Sequence, residues 1–483
     1  MRILMVSPEG PPLQRAGALV DVMDALPRAL RSRGHEISVA LPFYREIREN
    51  TVFKAKNTGV TVDIQVGKKT YPAKYLEGRS TSGVQLFLVR CDEFFDRPGI
   101  YGEHGKAYDD NAARFIFFCK ATLELARRLT PPLQILHLHN WAAALIPVFV
   151  RARGLPFATV LTIHHLVEQG SFWGLDFGLT NLPERFFTLH GVEFFGRLNF
   201  LKGGILYANR ITTVSEHYRR EILTPPGGCG LDGVLRENAH RLNAILDGAD
   251  YTRWNPASDR LLPARYDARR LRAKQVCRET LLKEMNLASA PRGPVFGMVT
   301  RVVQEKGFEI LVPLLDRLLW DDVRLIILGE GDPAYETSLA VAARKFSTRF
   351  AYEKDYDDKL AHLIEGGMDV SLIPSRFEPA GLNAMYNLKY GALPVACVSG
   401  GIQEIIEDYD PTIDSGYGFL CYEYSSEAFW DAVKRARQLF RNRRLWIRLM
   451  KQAMARNFSW DVSAQRYEEL YRELVGTTGE AAA

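Results

Sequence analysis

Little in this 483-residue chain points to a membrane, a metal or an extracellular setting. No run of about 18 apolar residues occurs, so no membrane-spanning helix is expected. The opening MRILMVSPEGPP has one Arg and a short apolar stretch before a Pro/Gly cluster, too little for the core of a secretory leader. Cysteine is scarce, at 91, 119, 229, 277, 397 and 421, with no C-x-x-C pair and no His at zinc-finger spacing. Free thiols in a reduced, cytoplasmic protein are the expectation. Low-complexity sequence is confined to a short Gly/Ala tail after Val475. The charge excess is small, 62 Lys and Arg against 57 Asp and Glu, or +5. A nucleic-acid partner, which calls for clustered basic residues, is not expected. A small anionic ligand such as a nucleotide is compatible.

What is present is ordinary globular composition, 47% apolar and 25% charged. At roughly 100–200 residues per domain the length predicts two or three domains. An apolar run at 3–6, the loop PEGPPLQRAGAL, helical spacing at Val22, Leu26, Ala29 and Leu30, a stop at Gly34 and a run at 37–41 form a βαβ unit. Residues 51–92 alternate apolar and polar instead, predicting an antiparallel excursion at a sheet edge. The α/β rhythm resumes with a helix near 110–128, a strand at 134–137, a helix at 141–152 and strands at 158–163, 210–214 and 242–246. The Gly/Asp/Pro-rich DGADYTRWNP marks a domain boundary. A second series begins with strand 294–300, then loop RVVQEKG, a helix through Trp320, and strands at 323–329, 369–373 and 393–396. Residues 425–475 read as helical throughout, broken near 457–459. The fold class is therefore α/β, two doubly wound Rossmann-like domains facing a central cleft, with ligands expected at the carboxyl ends of strands.

Five loops just after strands carry candidate chemistry. Arg15-Ala16-Gly17-Ala18-Leu19 offers small residues, a helix start and a cation for a phosphate; a tight turn with a solvated Arg is the alternative. His137-Leu138-His139-Asn140-Trp141 and His164-His165 close neighbouring strands. Four histidines invite a metal, but their spacing does not converge as helix ligands do, which favours a polar pocket floor. Arg301 and Lys306 can clamp one anion if the chain turns between them, as a departing diphosphate requires; a solvated basic loop is the alternative. In Ser375-Arg376-Phe377-Glu378-Pro379-Ala380-Gly381-Leu382, Glu378 belongs either to a site or to the first turn of a helix. Ser399-Gly400-Gly401 is a nest able to hold phosphate. Together these loops suggest a nucleotide-like ligand gripped mainly by the second half, with a polar acceptor side in the first.

Several longer stretches go further. VDVMDALPRAL, YDDNAARFIFF, TTVSEHYRREILTP, GCGLDGVLR, RWNPASD, TRVVQEKG, LGEGDPAYE, PSRFEPAGLNAMY and FSW occur in this order. With them the chain resembles the bacterial glycogen synthase and plant starch synthase family, retaining glucosyltransferases of the GT-B fold, from residue 1 to about 474. The resemblance implies glycogen synthase activity: transfer of glucose from ADP-glucose to the non-reducing end of an α-1,4-glucan, without metal or other cofactor. It implies catalytic roles for His164, Arg301, Lys306 and Glu378. It implies donor or substrate contacts for Arg15, Gly17, Asp21, His139, Asn140, Ser399, Gly400 and Gly401. It implies an N-terminal acceptor-side domain over 1–250, a nucleotide-sugar domain over 251–458, and a helix over 459–483 packed back on the first domain.

The chain also departs from the family pattern. KTGGL reads RAGAL, so Arg15 stands for a lysine and Ala18 for a glycine. H-x-H-D-W-H reads HLHNWAA, with Asn140 and Ala142 for an acid and a histidine. His165 stands for an asparagine, Ala380 for a cysteine, and NG-(I/V)-D reads Asp247-Gly248-Ala249-Asp250. The alternatives are a glucosyltransferase with another acceptor or nucleotide, and a non-catalytic glucan-binding paralogue.

Overall fold

The computed structural model describes residues 1–13, 18–288 and 293–480. The chain divides into two compact units, Met1–Gly248 with the C-terminal helix Trp460–Glu480, and Ala249–Ser459.

In the first unit the elements are β1 (Arg2–Val6), α1 (Ala18–Ser32), β2 (Glu36–Pro42), β3 (Lys56–Val66), β4 (Lys69–Arg79) and β5 (Gln85–Arg90). There follow α2 (Asn111–Ala126), β6 (Ile135–His139), α3 (Ile146–Arg153), β7 (Ala158–Ile163), β8 (Arg210–Thr213) and β9 (Leu242–Ala244). They make a nine-stranded sheet in the order β9-β8-β7-β6-β1-β2-β5-β4-β3. Strands β9 through β5 pair in parallel, and β6 and β7 are buried along their whole length, as a doubly covered sheet demands. The alternating segment after residue 51 is the antiparallel β3–β4–β5 edge. Helix α1 buries Val22, Leu26, Ala29 and Leu30, the stripe read from the sequence. The C-terminal helix is held to this unit by Arg33 Nε to Glu468 at 2.6 Å and Ser463 Oγ to the Leu246 carbonyl at 2.5 Å.

The second unit contains α4 (Arg272–Glu284), β10 (Val295–Val299), β11 (Arg324–Leu328), α5 (Pro333–Lys345), β12 (Phe350–Glu353) and α6 (Asp358–Gly367). It continues with β13 (Val370–Ile373), α7 (Leu382–Lys389), β14 (Leu393–Cys397), β15 (Phe419–Cys421), α8 (Ser426–Phe440) and α9 (Arg443–Met454). Its six strands are all parallel, in the order β12-β11-β10-β13-β14-β15.

Three helical expectations are corrected. The single helix at 141–152 is a one-turn 3-10 segment, Trp141–Ala143, and then α3, because Pro147 in its first turn starts a new helix. The helix expected through Trp320 is a series of short turns between Gln304 and Leu319, interrupted around Pro313. The stretch after 425 breaks at Arg441–Asn442 as well, where Asn442 caps α9 by accepting from the Leu445 amide at 3.2 Å. Among the described residues no helix is long and apolar enough to cross a membrane.

Candidate active site

Both sheets reverse their strand order beside their first strand, between β1 and β6 in one unit and between β10 and β13 in the other. At such a point successive loops leave in opposite directions, and a crevice opens at the carboxyl ends of the strands. Among the described residues, the candidate loops follow β6, β7, β10, β13 and β14 at these ends.

In the second unit the loop after β10 carries Arg301 and Lys306, and the loop after β13 carries Glu378. Between the two cations the chain turns, the Val303 amide donating to the Arg301 carbonyl at 3.0 Å and the Lys306 amide to the Val303 carbonyl at 3.0 Å. Gly307 has φ 81°, and a Cβ there would lie 1.9 Å from the Pro374 carbonyl oxygen, so only glycine lets the two loops close on each other. The Arg376 amide donates to the Glu305 carbonyl at 3.0 Å and joins them. The result is an ion pair, Lys306 Nζ to Glu378 Oε2 at 2.6 Å, with side chains only 17% and 13% exposed. Arg301 is not part of it: its side chain is 72% exposed and the Glu305 carboxylate lies 4.0 Å away. The Ser399-Gly400-Gly401 nest packs on the backbone of Glu378. Gly401 N–H donates to the Glu378 carbonyl at 3.0 Å, and Gly400, at φ 45°, brings its Cα so close that a Cβ would meet the same oxygen at 2.2 Å. Helix α7 starts only at Leu382, capped by Gly381, so Glu378 precedes the first turn and the helix-dipole reading of it is set aside.

In the first unit β6 and β7 deliver the histidines. His139 Nδ1 and His164 Nε2 share a hydrogen bond at 2.9 Å, and His164 Nδ1 lies 3.5 Å from Asp247 Oδ2. His137 is bonded to Thr162 Oγ1 at 2.6 Å and to the Tyr471 hydroxyl at 2.7 Å. Burial pushes the His137 imidazole down to about 3 and holds His139 well below the usual range, so both are neutral at neutral pH. Asn140, with φ 57°, turns the chain and accepts from the His164 amide at 2.9 Å, which fixes the loop bearing His164. His139 Nε2 and Asp247 Oδ1 are buried without a hydrogen-bond partner among the described residues. Buried polar groups are costly unless bonded, so the pair suits a ligand rich in hydroxyl groups.

The chain is similar to known proteins along almost its whole length. A family model described as the starch synthase catalytic domain matches residues 2–237, and one described as glycosyl transferases group 1 matches residues 283–448. The chain is 39% identical over 480 residues to a glycogen synthase of Koribacter versatilis, covering 98% of each chain. It is 41% identical to one from an Anaeromyxobacter species, covering 98% of this chain and 99% of that one.

The chain belongs to the glycogen synthase and starch synthase family.

Among solved structures, the catalytic domain of starch synthase IV from Arabidopsis thaliana bound to ADP and acarbose superimposes with a TM-score of 0.90 at 29% identity, covering 98% of this chain and 99% of that one. The two Rossmann-like units are those of the GT-B fold. A sucrose-phosphate synthase from Thermosynechococcus elongatus, at TM-score 0.61 and 16% identity, shares the fold.

Within this glycosyltransferase family frame, Lys306 and Glu378 meet, and His139, Asn140 and His164 meet. Arg15 and Gly17 lie outside the described residues. Asp21 stands on the exposed side of the first turn of α1, where its charge favours the helix dipole. The substituted Asn140 has a definite task, holding the His164 amide. Ala142, in place of a histidine, is fully buried. Asp247 is not among the residues to which the sequence assigns a site role, although it directly follows the strand predicted at 242–246, just as the other polar residues follow theirs. Nothing local to the sequence marks Tyr471 as the partner of His137, because the two are 334 residues apart.

Proposed function

We propose that this glucosyltransferase works in the cytoplasm, moving glucose from ADP-glucose to the non-reducing end of an α-1,4-glucan with retention of configuration. The Lys306–Glu378 pair at the switch point of the second sheet carries the reading. As the bond from the anomeric carbon to the diphosphate breaks, negative charge grows on the departing ADP, and Lys306 and Arg301 stabilise it. Arg301, being exposed, is free to swing onto an incoming anion. The acceptor 4-hydroxyl forms the new bond from the face ADP leaves, and its proton passes to the leaving phosphate oxygen. Glu378 holds the glucose hydroxyls, and the Ser399-Gly400-Gly401 nest offers backbone N–H groups to the phosphates. His139, His164 and Asp247 present hydrogen-bonding atoms to sugar hydroxyls, while Arg15, Gly17 and Asp21 contact the donor. The positive charge assigned to the leaving group is the protein's own, so no metal or other cofactor enters the reading.

The test is glucose incorporation into glycogen by the purified protein, with ADP-glucose and UDP-glucose offered separately in the presence of a chelator. Incorporation from ADP-glucose alone is the expected result. Incorporation only from UDP-glucose overturns the donor assignment. Binding of ADP-glucose without transfer to glycogen overturns the acceptor assignment, and neither binding nor transfer favours a non-catalytic paralogue.

A further inference from the structure

Beside Glu378 the second unit has a small, partly open cavity whose deeper residues the proposed mechanism does not use. Its volume is about 20 Å³, and its lining joins Ser375, Glu378 and Asn383 to Glu365, Ser371 and Asn387. About 10–15 Å³ suffices for one water, provided polar partners surround it. They do. Ser371, 2% exposed on β13, has a hydroxyl with no hydrogen-bond partner among the described residues. Ser371 pairs in register with Gly297 on β10, where a Cβ would lie 2.5 Å from Met368 Sδ, so glycine lets Met368 close against the strand beside the cavity. Glu365, 5% exposed near the end of α6, accepts from Asn387 Nδ2 at 2.9 and 2.8 Å.

A buried carboxyl group needs a reason to be there. The groups around Glu365 are engaged elsewhere. From α4, Lys274 Nζ donates to the Gly366 and Tyr390 carbonyls, each at 3.0 Å, and Arg278 pairs with Asp369 at 3.0 Å. The Tyr266 hydroxyl donates to the Tyr390 carbonyl at 2.8 Å. On α6 itself His362 is bonded to Asp259 at 2.7 Å, and the Tyr390 hydroxyl donates to the same carboxylate at 2.5 Å. From α7 come the neutral Asn387, bonded to Glu365, and the neutral Asn383, which donates to the Val299 carbonyl at 3.0 Å. Across the cavity the charged pair is Glu378 with Lys306. Among the described residues no ion pair neutralises Glu365, and the cavity that it lines is also lined by Glu378.

We propose that Glu365 is a positioning residue for the transfer reaction, acting on the Glu378 carboxylate through a water held in this cavity by Ser371 Oγ. The inference rests on the donor-site reading of Lys306 and Glu378. A neutral Glu365 donates to the water, which passes a hydrogen bond on to Glu378 and leaves Lys306 paired. An ionised Glu365 turns the water round and sets a second negative charge near Glu378, which loosens its hold on the glucose. Burial pushes the Glu365 carboxyl up to about 7, so the exchange falls in the neutral range.

The experiment compares pH profiles of kcat and of the donor KM between about pH 6 and 8 for the parent enzyme and Glu365→Gln, glutamine being the shape of the neutral acid. The parent is expected to lose about fivefold in kcat across this range, the factor for roughly one hydrogen bond. Glu365→Gln is expected to keep the acid-side kcat throughout. Ser371→Ala, which removes the anchor of the water, is expected to flatten the same step at its lower level, and it serves if the glutamine variant does not fold. A step that survives unchanged in either folded variant overturns the inference. A parent enzyme without glucose transfer overturns the donor-site reading instead, so the two failures are distinct.

Discussion

Replacing Lys306 by alanine removes the ammonium that lies 2.6 Å from Glu378 and leaves that carboxylate only 13% exposed. Two separate costs follow. Breaking a fully buried pair from one side costs about 3–5 kcal/mol; partial solvent access on both partners reduces this to about 2 kcal/mol. For a domain of this size that is a fall in Tm of about 4–8 °C. The second cost is catalytic. Losing a fixed charge aimed at a leaving group typically takes about 10²–10³ from kcat, or about 3–4 kcal/mol of barrier. The protein remains folded at 25 °C, so unfolding does not account for the lost rate. Thermal melts and initial-rate assays with ADP-glucose and glycogen separate the two terms. A double variant with Glu378→Ala sharpens the test. It removes the orphaned carboxylate and should recover part of the Tm, yet activity should stay at or below that of the single variant. A Lys306→Ala protein with a lowered Tm and kcat within about threefold of the parent would refute the assignment, because a structural ion pair affects only the first quantity.

Gly400→Ala should lower kcat at least about tenfold with a smaller effect on Tm, since its Cβ would press 2.2 Å from the Glu378 carbonyl oxygen at a backbone φ of 45°, and rate assays on the folded variant check this. Glu365 also ties stability to pH. Its carboxyl rises from 4.5 to about 7 on folding, so its contribution is full below about pH 4.5 and is lost as pH rises through about 7, on the order of 3 kcal/mol. Glu365→Gln should therefore raise Tm at pH 8 and leave it near the parent value at pH 5, read by thermal melts. Lys274, lowered to about 8 by burial, loses stability in the opposite direction, as pH falls through about 8, so the comparison is made against the parent at each pH. Tyr471→Phe should cost about 1 kcal/mol by freeing His137 Nδ1, measured by denaturant unfolding.

The sequence by itself determined the α/β class, the parallel core and the antiparallel edge, because these follow from local periodicity: continuous apolar runs at β1 and β7, a helical stripe on α1, and alternation after residue 51. It also pointed to polar residues directly after buried strands, which a parallel sheet gathers at the carboxyl ends of its strands. It could not say that Lys306 meets Glu378 while Arg301 does not. That outcome depends on β10 and β13 being neighbours in the sheet and on Gly307 allowing the loops to close, two facts of tertiary arrangement. Nor could it find the bond from Tyr471 to His137 or the water-sized cavity joining Glu365 to Glu378. Each is made by residues from separate elements whose spacing in the chain carries no period. Local sequence encodes which faces are buried; only packing decides which buried polar groups confront one another.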